Sequence, residues 1–85
     1  MAQVEIPTRF LHFTGGQNRI IIDGHNVRRI LQELDLKFPG IVEELKSTST
    51  IAIDGEIVGN QLEDVLLEKI RPETEVYFVP AISGG

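Results

Sequence analysis

The 85-residue sequence has no cysteine, which removes disulfide bridges, thiolate metal sites and a cysteine nucleophile from consideration. Basic residues are scarce. Eight Lys and Arg stand against thirteen Asp and Glu, for a net charge of −5. An acidic surface repels phosphate backbones and anionic lipid, so neither nucleic acid nor membrane is expected as the main partner. A basic groove on a protein partner fits better. Long apolar runs are missing too: the three isoleucines at 20–22 fall far short of the ~20 residues that span a bilayer. Met1-Ala2-Gln3-Val4-Glu5 offers neither the basic start nor the apolar stretch of a secretion signal. A soluble, cytoplasmic protein is the expectation.

Catalytic and metal-binding patterns are also scarce. His12 and His25 are isolated, with no carboxylate cluster at ligand spacing, so no metal site is expected. No lysine follows Gly15-Gly16 and no helix starts there, so that pair reads as a turn and not a phosphate loop. No triad or paired-carboxylate arrangement stands out. The chain does not read as an enzyme, and it is expected to bind no cofactor of its own.

What is present is an ordinary globular balance, with 41% hydrophobic and 25% charged residues, enough for one small core. Val4 to Leu11 alternates and predicts a first strand, with Pro7 at an edge or a bulge. A turn of about five residues at Thr14-Gly15-Gly16-Gln17-Asn18 leads to a β-branched second strand over 19–23, making a hairpin. Asn26 is a candidate helix N-cap. Val27, Ile30, Leu31, Leu34 and Phe38 then form one apolar stripe of a helix, which Pro39-Gly40 ends. Ile41, Val42 and Leu45 predict one further short turn, and Ser47-Thr48-Ser49-Thr50 reads as a polar loop. A third strand over 50–54 turns at Asp54-Gly55 into a short fourth. Residues 61–70 fit a single helical turn or a loop. Arg71-Pro72-Glu73-Thr74 predicts a turn, and Glu75 to Pro80 a last strand.

This order, β-β-α-β-β-(short helix)-β, calls for an α+β domain: one mixed sheet of four to five strands with a helix packed across one face. The last strand is expected mid-sheet, parallel to the first. Val4, Ile6, Val76 and Phe78 then face the helix, while Tyr77 and Val79 look out from the other side. The domain is expected to span 1–80, with 81–85 a flexible tail.

That tail, Ala81-Ile82-Ser83-Gly84-Gly85, follows directly on an apolar strand and holds nothing larger than isoleucine. Glycine is near ~7% of residues on average, so a closing Gly-Gly is about a 0.5% coincidence. Without Cβ atoms, Gly84 and Gly85 can thread a narrow channel. The chemical handle at such an end is the Gly85 α-carboxylate, a poor electrophile until another enzyme activates it.

From Val76-Tyr77-Phe78-Val79-Pro80 to Gly85, preceded by the turn Ile70-Arg71-Pro72-Glu73-Thr74-Glu75, the sequence resembles the MoaD/ThiS family of ubiquitin-like β-grasp sulfur carriers. The resemblance covers nearly the whole chain. Ile6-Pro7-Thr8 followed by Thr14-Gly15-Gly16-Gln17 is most similar to the carrier of an alternative cysteine biosynthesis route. The resemblance implies an E1-like partner that uses MgATP to adenylate Gly85, and conversion of that adenylate to a thiocarboxylate. It also implies a second partner, a biosynthetic enzyme that accepts the sulfur for cysteine, molybdopterin, thiamin or tRNA thiolation. Gly85 would be the reacting residue, Ile82, Ser83 and Gly84 the lead into the partner's channel, and Tyr77 with Val79 a docking surface. Two other uses of the fold stay open here: a modifier conjugated to lysines, and a purely structural interaction domain.

Overall fold

The computed structural model describes residues 1–59 and 62–80. Five strands form one sheet in the order β2-β1-β5-β3-β4. Strand β1 (Ala2–Glu5) pairs antiparallel with β2 (Arg19–Ile22), and β3 (Ser49–Ile53) pairs antiparallel with β4 (Glu56–Val58). Strand β5 (Glu75–Pro80) joins the two hairpins, parallel to β1 and antiparallel to β3. The last strand therefore does lie mid-sheet beside the first.

Helix α1 (Val27–Lys37) crosses one face and α2 (Ile41–Thr48) packs beside it. The Asn26 side chain caps α1 by accepting the Arg29 N–H at 2.9 Å, satisfying an amide that the first turn otherwise leaves unpaired. Val27, Ile30, Leu31 and Leu34 are buried, as the stripe required. Gly40, at φ 93°, redirects the chain into α2. Beneath the helices, Val4, Ile6, Ile22, Ile51, Val76 and Phe78 close the core with Ile41 and Leu45. Among the described residues, every buried side-chain polar atom has a hydrogen-bond partner, so the core carries no unsatisfied group of the kind that costs stability.

The β3–β4 turn follows from its sequence. Asp54 and Gly55 both take positive φ, 50° and 86°, as the tight hairpin turn matched to strand twist demands. Asp54 also fastens β5. Its N–H donates to the Glu75 carbonyl at 2.9 Å and its carboxylate accepts the Glu75 N–H at 3.0 Å.

Two local expectations are corrected and a third, left open between turn and loop, is resolved. The first strand stops at Glu5, and Thr8–Phe13 forms a 3-10 helix instead of continuing the strand. Pro7 lacks an N–H for the ladder, while its carbonyl accepts from Phe10 N–H at 2.9 Å. The connection to β2 therefore runs far longer than a five-residue turn. Secondly, Ser47 and Thr48 belong to α2, where both hydroxyls donate back to the Glu44 carbonyl, and Ser49 and Thr50 belong to β3. No loop separates them. Thirdly, residues 62–65 settle as a 3-10 turn whose Leu62 and Val65 are buried.

Candidate functional site

Strand β5 alternates between the two faces of the sheet. Val76 and Phe78 point into the core, at 0% and 4% exposure, while Tyr77 and Val79 lie half-buried on the open face. Both outward residues fall where the sequence places them. The register reveals what surrounds them: one row crosses all five strands as Arg19, Glu5, Tyr77, Ala52 and Ile57. Val79 stands opposite Thr50 in the adjacent row.

That row changes character along its length. On the β2–β1 side the Arg19 guanidinium donates from Nε and Nη2 to Glu5 Oε1, at 3.1 and 2.9 Å. That hydrogen bond, and secondarily the carboxylate's charge, raises the guanidinium pKa above its usual range. At the centre, the Tyr77 hydroxyl donates to Glu75 Oε2 at 3.2 Å. Through that hydrogen bond, and then its charge, Glu75 holds the phenol above its usual pKa of 10.0. Tyr77 is thus a neutral, anchored ring. Beyond it the row turns apolar, with Ala52 buried beside Ile57, which is 63% exposed.

Along this row the β2–β1 side is charged and the β3–β4 side apolar, and nearer the end of β5 Val79 stands beside Thr50. Sequence reading missed Ala52, Thr50 and Ile57. The signal was available. A two-residue Asp54-Gly55 turn fixes Ile53 opposite Glu56, and hence Ala52 opposite Ile57. The remaining site residues named from sequence, Ile82, Ser83, Gly84 and Gly85, lie outside the described residues.

Elsewhere the surface offers little chemistry. A groove between α1 and α2 is lined by Leu31, Leu36 and Val42 with Arg28, Glu43 and Lys46. His12 stacks on Phe13 with ring centroids 4.4 Å apart. Among the described residues no three His, Cys, Asp or Glu side chains cluster to hold a metal ion, and no helix is long and apolar enough to cross a membrane.

A five-stranded mixed sheet with a parallel central pair, crossed on one face by a capped helix, defines a ubiquitin-like β-grasp domain. More specifically, the chain belongs to the ThiS family, whose family model matches residues 4–85. Comparison with curated proteins gives no match. Solved structures that share the fold include three at full or nearly full coverage. Mycobacterium tuberculosis CysO, described as an antigen, aligns at TM-score 0.85 and 24% identity, over 96% of this chain and 100% of that one. Amycolatopsis orientalis CysO, seen in complex with BexX, gives 0.81 and 19% over the full length of both. The small archaeal modifier protein 1 of Methanosarcina acetivorans gives 0.78 and 17%, over 99% and 95%.

Proposed function

We propose that this protein is a sulfur carrier whose reacting group is the Gly85 carboxylate. The observation that carries this is the ThiS-family match, which extends through Gly84 and Gly85. A carboxylate resists displacement because its leaving group is oxide. In the proposed cycle a Gly85 oxygen attacks the α-phosphorus of MgATP within an E1-like enzyme, and pyrophosphate departs. A thiol reduces a persulfide donor, forming a disulfide and releasing hydrosulfide, which attacks the carbonyl carbon and gives up its proton. The bond to AMP breaks, leaving a C-terminal thiocarboxylate. This ionised sulfur nucleophile passes to the acceptor enzyme.

Within that cycle the chain's own residues bind and present. Gly84, Ser83 and Ile82 supply a lead without bulk. Tyr77 and Val79 on β5, with Ile57 across Ala52 in the row of Tyr77, offer apolar area of the kind that interface centres bury. A protein partner for such a surface is in keeping with the A. orientalis fold neighbour, which is a complex of CysO with BexX. Among acceptors we favour the cysteine route, to which the Ile6-Pro7-Thr8 segment bears most resemblance. The protein is a substrate of its partners, and MgATP belongs to the activating enzyme.

The test is ATP–pyrophosphate exchange by an E1-like enzyme of the same organism. Exchange should depend on this protein and disappear in Gly84→Trp, with unfolding unchanged. An enzyme competent on another carrier but silent with this one would contradict the proposal. A second reading is prompted by the fold neighbour named as a modifier: a lysine amine would capture the same adenylate. Higher-mass adducts that vanish on deleting Gly85 would favour it.

A further inference from the structure

Strand β2 borders the sheet, with β1 on one side and no strand on the other among the described residues. Its hydrogen-bonding phase is fixed at its start, where Ile6 N–H donates to the Asn18 carbonyl at 2.9 Å. Antiparallel ladders alternate bonded and non-bonded pairs. The pairs Val4–Ile20 and Ala2–Ile22 therefore exchange the inter-strand bonds. The backbone N–H and C=O groups of Arg19 and Ile21 face away from β1. Such an edge is a template for another strand.

The side chains along this edge are self-complementary. Arg19, Ile21 and Asp23 are exposed while Ile20 and Ile22 are buried, so one alternation runs from Arg19 to Asp23. Read against its own reverse, Arg-Ile-Ile-Ile-Asp matches arginine with aspartate and isoleucine with isoleucine. Parallel pairing would instead set Arg19 against Arg19 and Asp23 against Asp23. Antiparallel pairing shifted by two residues would leave Asp23 without its arginine.

We propose that two copies of this chain pair edge to edge through β2, antiparallel and centred on Ile21. Ile21 meets Ile21 of the second copy as a hydrogen-bonded pair, bringing the outward backbone groups together. Arg19 meets Asp23 of the second copy at both ends. Ile21, now 49% exposed, is covered. Arg19 is already held across the sheet by Glu5, and its fork of five N–H donors leaves some for a second carboxylate. Each copy has one such edge, and the opposite border, β4, is three residues long. The pairing is two-fold and closes at a dimer. It is also weak, because two short strands bury far less than the ~1,200 Å² of a standard interface and each copy carries a charge of −5. The inference does not depend on the carrier chemistry.

Sedimentation equilibrium of the full chain at fixed ionic strength tests it, together with isotope-filtered NMR on mixed labelled and unlabelled protein. The expected result is a mass rising from one copy toward two with concentration. An intermolecular contact is expected between the α-protons of Ile20 and Ile22, a non-bonded pair with close approach. Asp23→Arg, on an exposed residue, sets like charges opposite and should weaken association about tenfold with an unchanged circular dichroism spectrum. The charge swap Arg19→Asp/Asp23→Arg, combined with Glu5→Arg so that position 19 keeps an opposite charge on β1, should recover it. A single-copy mass at every concentration overturns the proposal, as does association indifferent to Asp23→Arg. So does a monomer whose β2 amides shift on adding an extended peptide, which would assign the edge to a peptide instead.

Discussion

The two faces of the sheet are made from the same strands and are built for opposite purposes. On the inner face Val4, Ile51, Val76 and Phe78 are sealed beneath α1 and α2. On the open face Tyr77 and Val79, their immediate neighbours on β5, keep part of their surface in water, and Ile57 keeps most of it. Period-two alternation means that β5 cannot hold one face in place without fixing the other. The difference teaches that stability resides under the helices. The open face is where the proposed docking surface lies.

The inner face is most sensitive at Phe78. Phe78→Ala empties a buried site and should destabilise the fold by about 3–5 kcal/mol in chemical denaturation. A change near zero would mean that the faces are assigned in reverse. Next in size is the cap of α1. Asn26→Ala removes the acceptor of the Arg29 N–H and should cost about 1 kcal/mol, while Asn26→Asp should largely preserve stability.

On the open face the order of effects reverses. Ile57→Asp should change stability by no more than about 0.5 kcal/mol, yet it should raise the KM of the activating enzyme for this carrier. A large stability loss with KM untouched would return Ile57 to the core and remove it from the docking surface. The smallest effect concerns Tyr77, the sole tyrosine, whose ionisation can be followed by absorbance. Hydrogen bonding to Glu75 favours the protonated phenol and raises its pKa above the unfolded value of 10.0. The associated stability is therefore fully present below pH 10.0 and is lost as pH climbs through the higher folded pKa. Glu75→Gln should lower the titration midpoint toward 10.0, and an unmoved midpoint would remove Glu75 as the cause.

Much of this was legible where local signals agree with the fold. The Val27–Leu34 stripe, the Asn26 cap, the Asp54-Gly55 turn and the alternation of Val76 to Val79 each state their structure directly. Legibility failed where one pattern mimicked another. Alternation through Ile6 and Phe10 suggested a continuing strand, yet Phe10 and Phe13 stand at the three-residue spacing of a 3-10 helix, their ring centroids 6.4 Å apart. Ser47 and Thr48 looked like loop because their polarity was counted without their hydroxyls, which bond back to the preceding turn. In the candidate site, Tyr77 and Val79 could be placed from their own strand. Ile57 needed the cross-strand register that the Asp54-Gly55 turn sets.

The central claim is that Gly85 carries sulfur. It is tested most directly by intact mass spectrometry after incubation with the E1-like enzyme, MgATP and a sulfide source. The expected result is a mass gain of one oxygen exchanged for sulfur, localised to Gly85 by fragmentation and absent without ATP. An unchanged mass, with the same enzyme shown to thiocarboxylate another carrier, would contradict it and leave a β-grasp domain that binds without carrying.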